Sequence, residues 1–126
     1  MNDPAGQLEA SGSCVRLTPE GPGRLAIIRA ADDACVGHLT VRLGDLPGEL
    51  LVWELCINDG ERGYGCGSEA ALLLVQAAVK AGWARMRARA HPRYGLSVYF
   101  WVRMGFRPLH GEGPEGGIWF VRDLRS

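Results

Sequence analysis

The stretch Glu61-Arg62-Gly63-Tyr64-Gly65-Cys66-Gly67-Ser68-Glu69 decides the interpretation of this chain. It lies between an apolar, strand-like run that ends at Ile57 and an Ala/Leu-rich run typical of a helix. Glycines at every second position let the backbone approach a ligand closely. The amides of the turn and of the first helical residues then point at one place, where the helix dipole adds positive potential. The stretch therefore predicts an anion site, and phosphate is the anion that suits it best.

Two other phosphate-binding loops do not fit. A P-loop needs a lysine directly after its second glycine, whereas Lys80, the one lysine of the chain, comes near the end of the helical run. A dinucleotide fingerprint needs an acidic residue about 20 positions further on. The corresponding stretch, 85–90, reads RMRARA. Because the chain has 18 glycines, an ordinary tight turn remains the alternative to a phosphate site.

Composition indicates one small globular domain. A length of 126 residues suffices for a single core, and the net charge of zero gives no general attraction to nucleic acid or membrane. No apolar run has the length of a membrane-spanning helix, and no signal peptide is recognisable, so we expect a cytoplasmic protein. The polar, Gly- and Pro-containing segment 1–13 is predicted to be disordered, and 14–126 to form the domain.

The four cysteines show neither a Cys-x-x-Cys spacing nor a paired histidine spacing, so no metal site is expected. Cys14, Cys35 and Cys56 are predicted to be small buried residues on successive strands. Cys66 lies in the anion site, where it is expected to be a small loop side chain. A thiol activated by the helix N-terminus is the alternative for Cys66.

Hydrophobic patterning and turn residues predict an α+β domain with one sheet. A hairpin is expected around Asp32-Asp33, and the helix after the anion site is expected to end at Gly82. The strands 49–57 and 85–90 are expected to be parallel, with a right-handed crossover between them. Strands are predicted at 14–18, 24–31, 35–43, 49–57, 85–90, 106–109 and 118–124, and helices at 68–81 and 96–104.

A second segment supports a family resemblance. Residues 97–106 read SVYFWVRMGF, which is a helix that ends in aromatic-x-x-x-Gly-Phe. This segment and the spacing Arg62-x-x-Gly65-x-Gly67 resemble the two cofactor motifs of the GNAT superfamily of N-acetyltransferases, in the same order and at matching distances across roughly 49–109. The resemblance implies a single-domain GNAT-like fold, with a mixed, mostly antiparallel sheet splayed at its centre and two main helices.

The resemblance also implies acetyl-CoA as the acyl donor, with its pantetheine arm in the splay between strands 49–57 and 85–90. The strand backbone would contact the arm at Leu55, Cys56 and Ile57. The pyrophosphate would lie on the glycine-rich loop. The remaining cofactor-binding residues that the resemblance implies are Arg62, Gly63, Tyr64, Gly65, Cys66, Gly67, Ser68, Tyr94, Ser97 and Trp101.

The chain departs from the family at the residue that usually protonates the leaving thiolate. Family members carry a tyrosine five residues before the Phe of Gly-Phe, and here that position is Trp101, which has no hydroxyl. Tyr99 lies about 200° around the helix from Trp101 and is expected to point elsewhere. Tyr94 stands where an asparagine is usual, and its phenol is the candidate replacement acid.

An amine acceptor must lose a proton, and two residues are candidates for the base. Glu54 lies three residues before Ile57, where many GNAT proteins keep an acceptor-side glutamate; the alternative is an ion pair with the arginines of 85–90. His91, which ends that strand, is the second candidate. A solvated or ion-paired strand face explains the arginines better than a nucleic-acid site does. If they line the acceptor site, they favour an acceptor with a carboxylate or phosphate.

A further departure is at the front of the chain. Family members usually have two helices between their first two strands, forming one wall of the acceptor site, and here only 19–23 separates those strands. One sheet face is expected to be polar and therefore exposed, substrate-facing or covered in a homodimer. The sequence thus predicts an N-acyltransferase in which a small-molecule or peptide amine attacks acyl-CoA directly. The alternatives are a non-catalytic acyl-CoA-binding or regulatory domain, and a site for another phosphate ligand.

Overall fold

The structure, a computed structural model, describes residues 4–61, 65–90, 95–109 and 118–124, and of 95–98 only the backbone. Two short 3-10 turns, Pro4–Gln7 and Asp59–Glu61, accompany the regular elements. The strands and helices are β1 (Ala10–Ser11), β2 (Val15–Gly21), β3 (Arg24–Arg29), β4 (Cys35–Leu43), β5 (Glu49–Ile57), α1 (Cys66–Ala81), β6 (Arg85–Ala90), α2 (Gly95–Arg103), β7 (Arg107–Pro108) and β8 (Ile118–Asp123).

The described strands form one sheet in the order β1-β2-β3-β4-β5-β6-β8-β7. Neighbouring strands are antiparallel except β5 and β6, which are parallel and joined through α1. A parallel pair needs such a crossover because a short turn cannot return the chain to the same end of the sheet. The mixed, mostly antiparallel sheet and the two main helices are therefore confirmed.

Both helices lie on one face of the sheet. The buried residues of this face alternate along the strands, as Met86, Ala88 and Ala90 do along β6. α1 is rich in Ala and Leu, which are strong helix formers, and it ends at Gly82, whose φ of 93° makes the expected left-handed cap. Other members of this core are Val15, Leu17, Ile27, Val36, Leu39, Leu50, Val52, Leu74, Trp101, Phe106 and Phe120.

The opposite face, which we call the bare face, is covered by neither described helix. Arg85, Arg87 and Arg89 alternate with the core residues of β6 and therefore point to it. Paired residues of neighbouring strands share a face, so Glu49 opposite Arg85 and Trp119 opposite Arg89 lie there too. The polar face predicted from the sequence is thus present.

The segment predicted to be disordered, 1–13, is structured from Pro4 onward. Ala5 and Leu8 have no exposed surface and belong to the core on the helix face. The short strand β1 pairs with β2 and extends the sheet by one strand. The prediction followed the polar, Gly- and Pro-containing composition, whereas two apolar side chains are enough to dock this segment.

The predicted burial of three cysteines is wrong. Cys14, Cys35 and Cys56 are exposed, and Cys66 is buried. Cys14 precedes β2 and Cys35 begins β4, where strand ends are less covered. The irregular pairing of β5, described below, turns Cys56 to the bare face.

Candidate functional site

β5 and β6 pair only at their beginning. The register runs from Glu49 opposite Arg85 to Val52 opposite Ala88 and stops there, although both strands are described further on. Beyond Val52, β5 continues its pairing with β4. A gap therefore opens between β5 and β6, and it is the central splay that the sequence predicted.

A β-bulge at the mouth of this gap changes which β5 side chains reach the bare face. Consecutive residues of β4 pair with Glu54 and Val52, so Trp53 is an extra residue. Trp53 and Glu54 consequently both lie on the bare face. Leu55 and Ile57 return to the helix face and pack against the core.

α1 begins beside the open end of β5. Gly65 precedes it with a φ of 80°, a left-handed conformation that favours glycine, and as the N-cap residue it supplies no side-chain hydrogen bond to the first turn. A Cβ on Gly67 would lie 3.4 Å from Ile57 and 3.8 Å from Leu55. The positive end of the helix dipole is thus held next to the gap.

Several predicted loop residues belong to this helix start. Cys66 is the buried first residue of α1 rather than a loop residue, and Ser68 lies in the first turn. We call the predicted anion site from Arg62 to Ser68 the cradle. Its first three residues, Arg62, Gly63 and Tyr64, lie outside the described residues.

Glu69 fixes the start of α1 to the beginning of β2. Its Oε1 accepts hydrogen bonds from the amides of Cys14 at 2.9 Å and Val15 at 3.3 Å. Partial burial raises the pKa of Glu69, but these amide hydrogen bonds outweigh burial and hold the pKa below its usual value. An ionised carboxylate in the first turn also interacts favourably with the helix dipole.

Arg29 ties the β3–β4 hairpin to the turn that precedes the cradle. Its Nε and Nη2 donate to the two carboxylate oxygens of Asp32 at 2.9 and 2.8 Å, and its Nη1 donates to Glu61. The hydrogen bonds from Arg29 lower the pKa of Asp32 to about 2. Glu61 is the last described residue before the cradle, so this network places the chain where the cradle begins.

The aromatic end of α2 belongs to the core. Trp101 is only 4% exposed, and its ring lies 5.0 Å from those of both Phe100 and Phe106 in edge-to-face contacts. Tyr99 is 71% exposed, which confirms that it points away from Trp101. A Cβ on Gly67 would lie 3.8 Å from Phe100, so α2 adjoins the start of α1.

Two tryptophans and three arginines stack on the bare face beside the gap. The guanidinium carbons of Arg42 and Arg89 lie 4.0 and 4.2 Å from the centre of the Trp53 ring. Arg89 Nε also donates to the carbonyl oxygen of Trp53 at 3.1 Å. Arg87 stacks on Trp119 at 4.5 Å, and the two indole centres are 6.2 Å apart. The gap therefore opens onto a cationic and aromatic surface.

Solved N-acetyltransferases share this architecture. A GCN5-related N-acetyltransferase from Brucella melitensis has a TM-score of 0.75 at 16% identity, covering 94% of this chain and 79% of its own. A GNAT-family acetyltransferase from Staphylococcus aureus has a TM-score of 0.68 at 13% identity, covering 81% and 68%. This chain has the GNAT fold.

The GNAT fold is also that of the PaiA N-acetyltransferase from Thermoplasma acidophilum, solved in complex with coenzyme A. That protein has a TM-score of 0.66 at 14% identity, over 79% of this chain and 59% of its own. No family model and no curated protein matches the sequence. At such identities the shared property is the fold, and the chemistry has to be argued from the residues of this chain.

This GNAT fold has no helix between β2 and β3, as the sequence predicted. The two strands form a hairpin whose turn is Pro22 and Gly23, with Gly21 paired to Arg24. Family members usually form one wall of the acceptor site with two helices between these strands, whereas in this chain the residues between them, all of them described, form only a turn. The bare face reaches the gap without that wall.

The closed end of the gap contains a charge cluster that sequence reasoning did not find. Glu49 is 2% exposed, and its carboxylate lies 3.2 Å from Arg85 Nε and 3.5 Å from an Arg87 nitrogen. Its Oε1 also accepts the amide of Asp45 at 3.1 Å. The parallel register sets Glu49 beside Arg85, and the sequence alone does not reveal this register.

Of the three predicted catalytic residues, the structure describes one, Glu54. Glu54 is exposed on the bare face at the gap and has no ion pair among the described side chains, so the predicted pairing with the arginines is taken by Glu49 instead. His91 and Tyr94 lie outside the described residues, and the Ser97 side chain is likewise not described. In the described part of the chain, no cluster of His, Cys, Asp and Glu could hold a metal ion. None of the described helices is long and apolar enough to cross a membrane.

Proposed function

We propose that this protein is an N-acyltransferase that moves an acetyl or short acyl group from acyl-CoA to an amine by direct attack. The observation that carries the proposal is the gap between β5 and β6, which opens beside the uncapped start of α1. Acyl-CoA suits this arrangement, because its long pantetheine arm would lie in the gap and its phosphates would lie at the start of α1. The fold of solved N-acetyltransferases supports the same reaction class.

In the proposed complex, the cofactor approaches from the helix face. Its pyrophosphate lies on the cradle from Arg62 to Ser68, where the helix dipole and the amides of the first turn favour an anion. The pantetheine arm follows β5 at Leu55, Cys56 and Ile57, past the point where β6 diverges. The space at position 65 is open to this approach, since no described atom beyond the neighbouring residues lies within 4 Å of a Cβ built there.

The acceptor then approaches from the bare face. Glu54 is the proposed base because the bulge places it on that face at the open end of the gap, where water can carry the proton away. His91 remains the second candidate. Direct attack needs no covalent enzyme intermediate, because the gap brings the two substrates together from opposite faces.

The proposed acid for the leaving thiolate differs from the tyrosine that is usual in the family. Trp101 has no ionisable group and is buried against two phenylalanines, so the candidate acid is Tyr94. Transfer does not depend on this acid, since a thiolate is a fair leaving group with a free pKa of about 8.5. Trp101 and Ser97 remain proposed cofactor neighbours.

The first experiment tests acetyl-CoA binding through the melting temperature. Acetyl-CoA at 100 times its Kd is expected to stabilise the wild type by about 2.7 kcal/mol. Gly65→Asn and Gly65→Asp form a matched pair, because both residues tolerate the left-handed conformation and both suit a helix N-cap. Gly65→Asn should keep most of the shift, and Gly65→Asp should lose it by repelling the pyrophosphate.

The same samples are then assayed for thiol release from acetyl-CoA with a panel of primary amines. Release with any amine supports the enzyme. No thermal shift in the wild type would remove acyl-CoA from the proposal and leave another phosphate ligand for the cradle. Equal shifts in the Asn and Asp variants would place the cofactor elsewhere.

A non-catalytic acyl-CoA-binding or regulatory domain is the second candidate function. Two observations favour it: Trp101 stands in place of a hydroxyl-bearing residue, and the β2–β3 hairpin replaces the acceptor wall. A thermal shift without thiol release from any amine would decide for this alternative. The cytoplasmic location, the absence of a nucleic-acid or membrane partner, and a homodimer that covers part of the bare face remain predictions of the proposal.

A further inference from the structure

The bare face beside the gap concentrates positive charge, although the whole chain has no net charge. β4, β5 and β6 together carry four arginines against two glutamates. Glu49 is engaged by Arg85 and Arg87 at the closed end. This pairing leaves Glu54 as the one remaining carboxylate of these three strands near Arg42 and Arg89.

Arg42 and Arg89 are held against the same indole. Both guanidinium carbons lie within 4.2 Å of the Trp53 ring centre, so two like charges contact one indole ring. Like charges at short range repel each other, and an anion placed beside them offsets that repulsion. Arg42 is exposed and has no carboxylate partner among the side chains that the structure describes. A ligand anion can therefore reach it.

The bulge places this cationic surface next to the proposed base. Trp53 and Glu54 are consecutive, and both lie on the bare face where β6 diverges from β5. An amine that enters the gap beside Glu54 meets Trp53 and Arg89, which belong to the two strands that flank the gap, and Arg42 contacts the same Trp53 ring. A negative group a few bonds from that amine would therefore lie against a guanidinium.

We propose that the acceptor is a small primary amine that also carries a carboxylate or phosphate, and that Arg42 binds this anionic group. This inference rests on the proposed acyltransferase function. Arg42 determines the preference for an anionic acceptor, because Arg85 and Arg87 form ion pairs with Glu49. Arg89 donates a hydrogen bond to the Trp53 carbonyl oxygen and also contacts the Trp53 ring. A planar guanidinium suits both carboxylate and phosphate because it presents paired donors.

The experiment compares matched acceptors. Thiol release from acetyl-CoA is measured with amino acids and their carboxamides, and with phosphorylated amines and their dephosphorylated alcohols. The anionic member of each pair should have the higher kcat/KM. Arg42→Gln should reduce that preference at least about tenfold, the size of one hydrogen bond to a charged group.

Arg107→Gln is the matched control. Arg107 lies on the same face, since it pairs with Val121, which in turn pairs with Arg87. The strands β6 and β8 separate it from the gap. The substitution removes the same charge, so the preference should persist in this variant. An equal loss in both variants would show a general effect of net charge and overturn the assignment to Arg42.

Calorimetric titration separates failure of this inference from failure of the proposed function. Anionic and neutral amines are titrated into the protein saturated with CoA, whether or not any of them is acylated. Binding of the anionic member that is lost in Arg42→Gln supports the inference even in a protein without turnover. Transfer to neutral and anionic amines at equal rates, or no binding of the anionic amines, overturns it.

Discussion

The two ends of the β5–β6 junction use the same residue types for different purposes. At the closed end, Glu49 is buried and contacts Arg85 and Arg87, while the strands pair beside it. At the open end, Glu54 is exposed, and the neighbouring Arg89 stacks on an indole. A carboxylate near arginines is therefore buried and ion-paired where the two strands pair, and exposed without an ion pair to the described side chains where they diverge.

The largest expected effect is on stability at the closed end. Glu49→Ala leaves two half-buried guanidinium groups without their carboxylate, and breaking a buried ion pair in this way typically costs about 3–5 kcal/mol. Urea unfolding measures the change. Glu49→Gln, which keeps the shape but not the charge, separates the electrostatic part from packing. A loss below about 1 kcal/mol for both variants would show that the closed end is not a structural cluster.

The second effect is on activity at the open end. Glu54→Gln should lower kcat/KM for amine acetylation by about 10²-fold or more, the usual contribution of a general base. The free energy of unfolding should change by less than about 0.5 kcal/mol, because the side chain is exposed. The pH–rate profile gives an independent reading, since the limb due to the base should disappear. Unchanged kinetics would transfer the role to His91.

The smallest effect concerns the exposed ion cluster before the cradle. The pKa of Asp32 is lowered to about 2 by its hydrogen bonds with Arg29. A depressed carboxyl pKa contributes stability that is present above the unfolded value near 3.9 and is lost as the pH falls towards 2. Asp32→Asn should therefore flatten the dependence of unfolding free energy on pH between about 4 and 2.

Arg29→Gln is the control for the Asp32 prediction. It removes the main partner that depresses the carboxyl pKa, so adding Asp32→Asn to it should change the slope less than in the wild type, by only the part due to the Ala34 amide. A slope that is the same in the wild type and in Asp32→Asn would contradict the assignment. Pairing with an arginine would then have no measurable effect on the stability that Asp32 contributes, and burial alone would distinguish Asp32 from Glu49.

Most of the sheet follows directly from the sequence. The ranges of β4, β5 and β6 agree with the prediction, because alternating apolar side chains and flanking turns define each strand locally. Both helices were predicted within two residues of their ends, since Gly82 and Gly105 mark where they stop. The start of α1 shortly after the end of β5 was also evident, because glycine spacing and the helix start are local features.

Features that depend on the register between strands could not be predicted from the sequence. One extra residue in β5 turns Glu54 and Cys56 to the bare face, and simple alternation along the strand cannot reveal a bulge. The partner of the arginines is Glu49 because parallel pairing starts β5 and β6 together. Docking of the N-terminal segment depends on the surface that Ala5 and Leu8 meet in the core.

The elements that form could be predicted from the sequence, because propensity, turn chemistry and glycine spacing act within a few residues. Which of two glutamates five residues apart on β5 is buried and which faces the gap was decided by the tertiary structure alone. The physical reason is that burial and pairing depend on neighbouring strands that are distant in the chain.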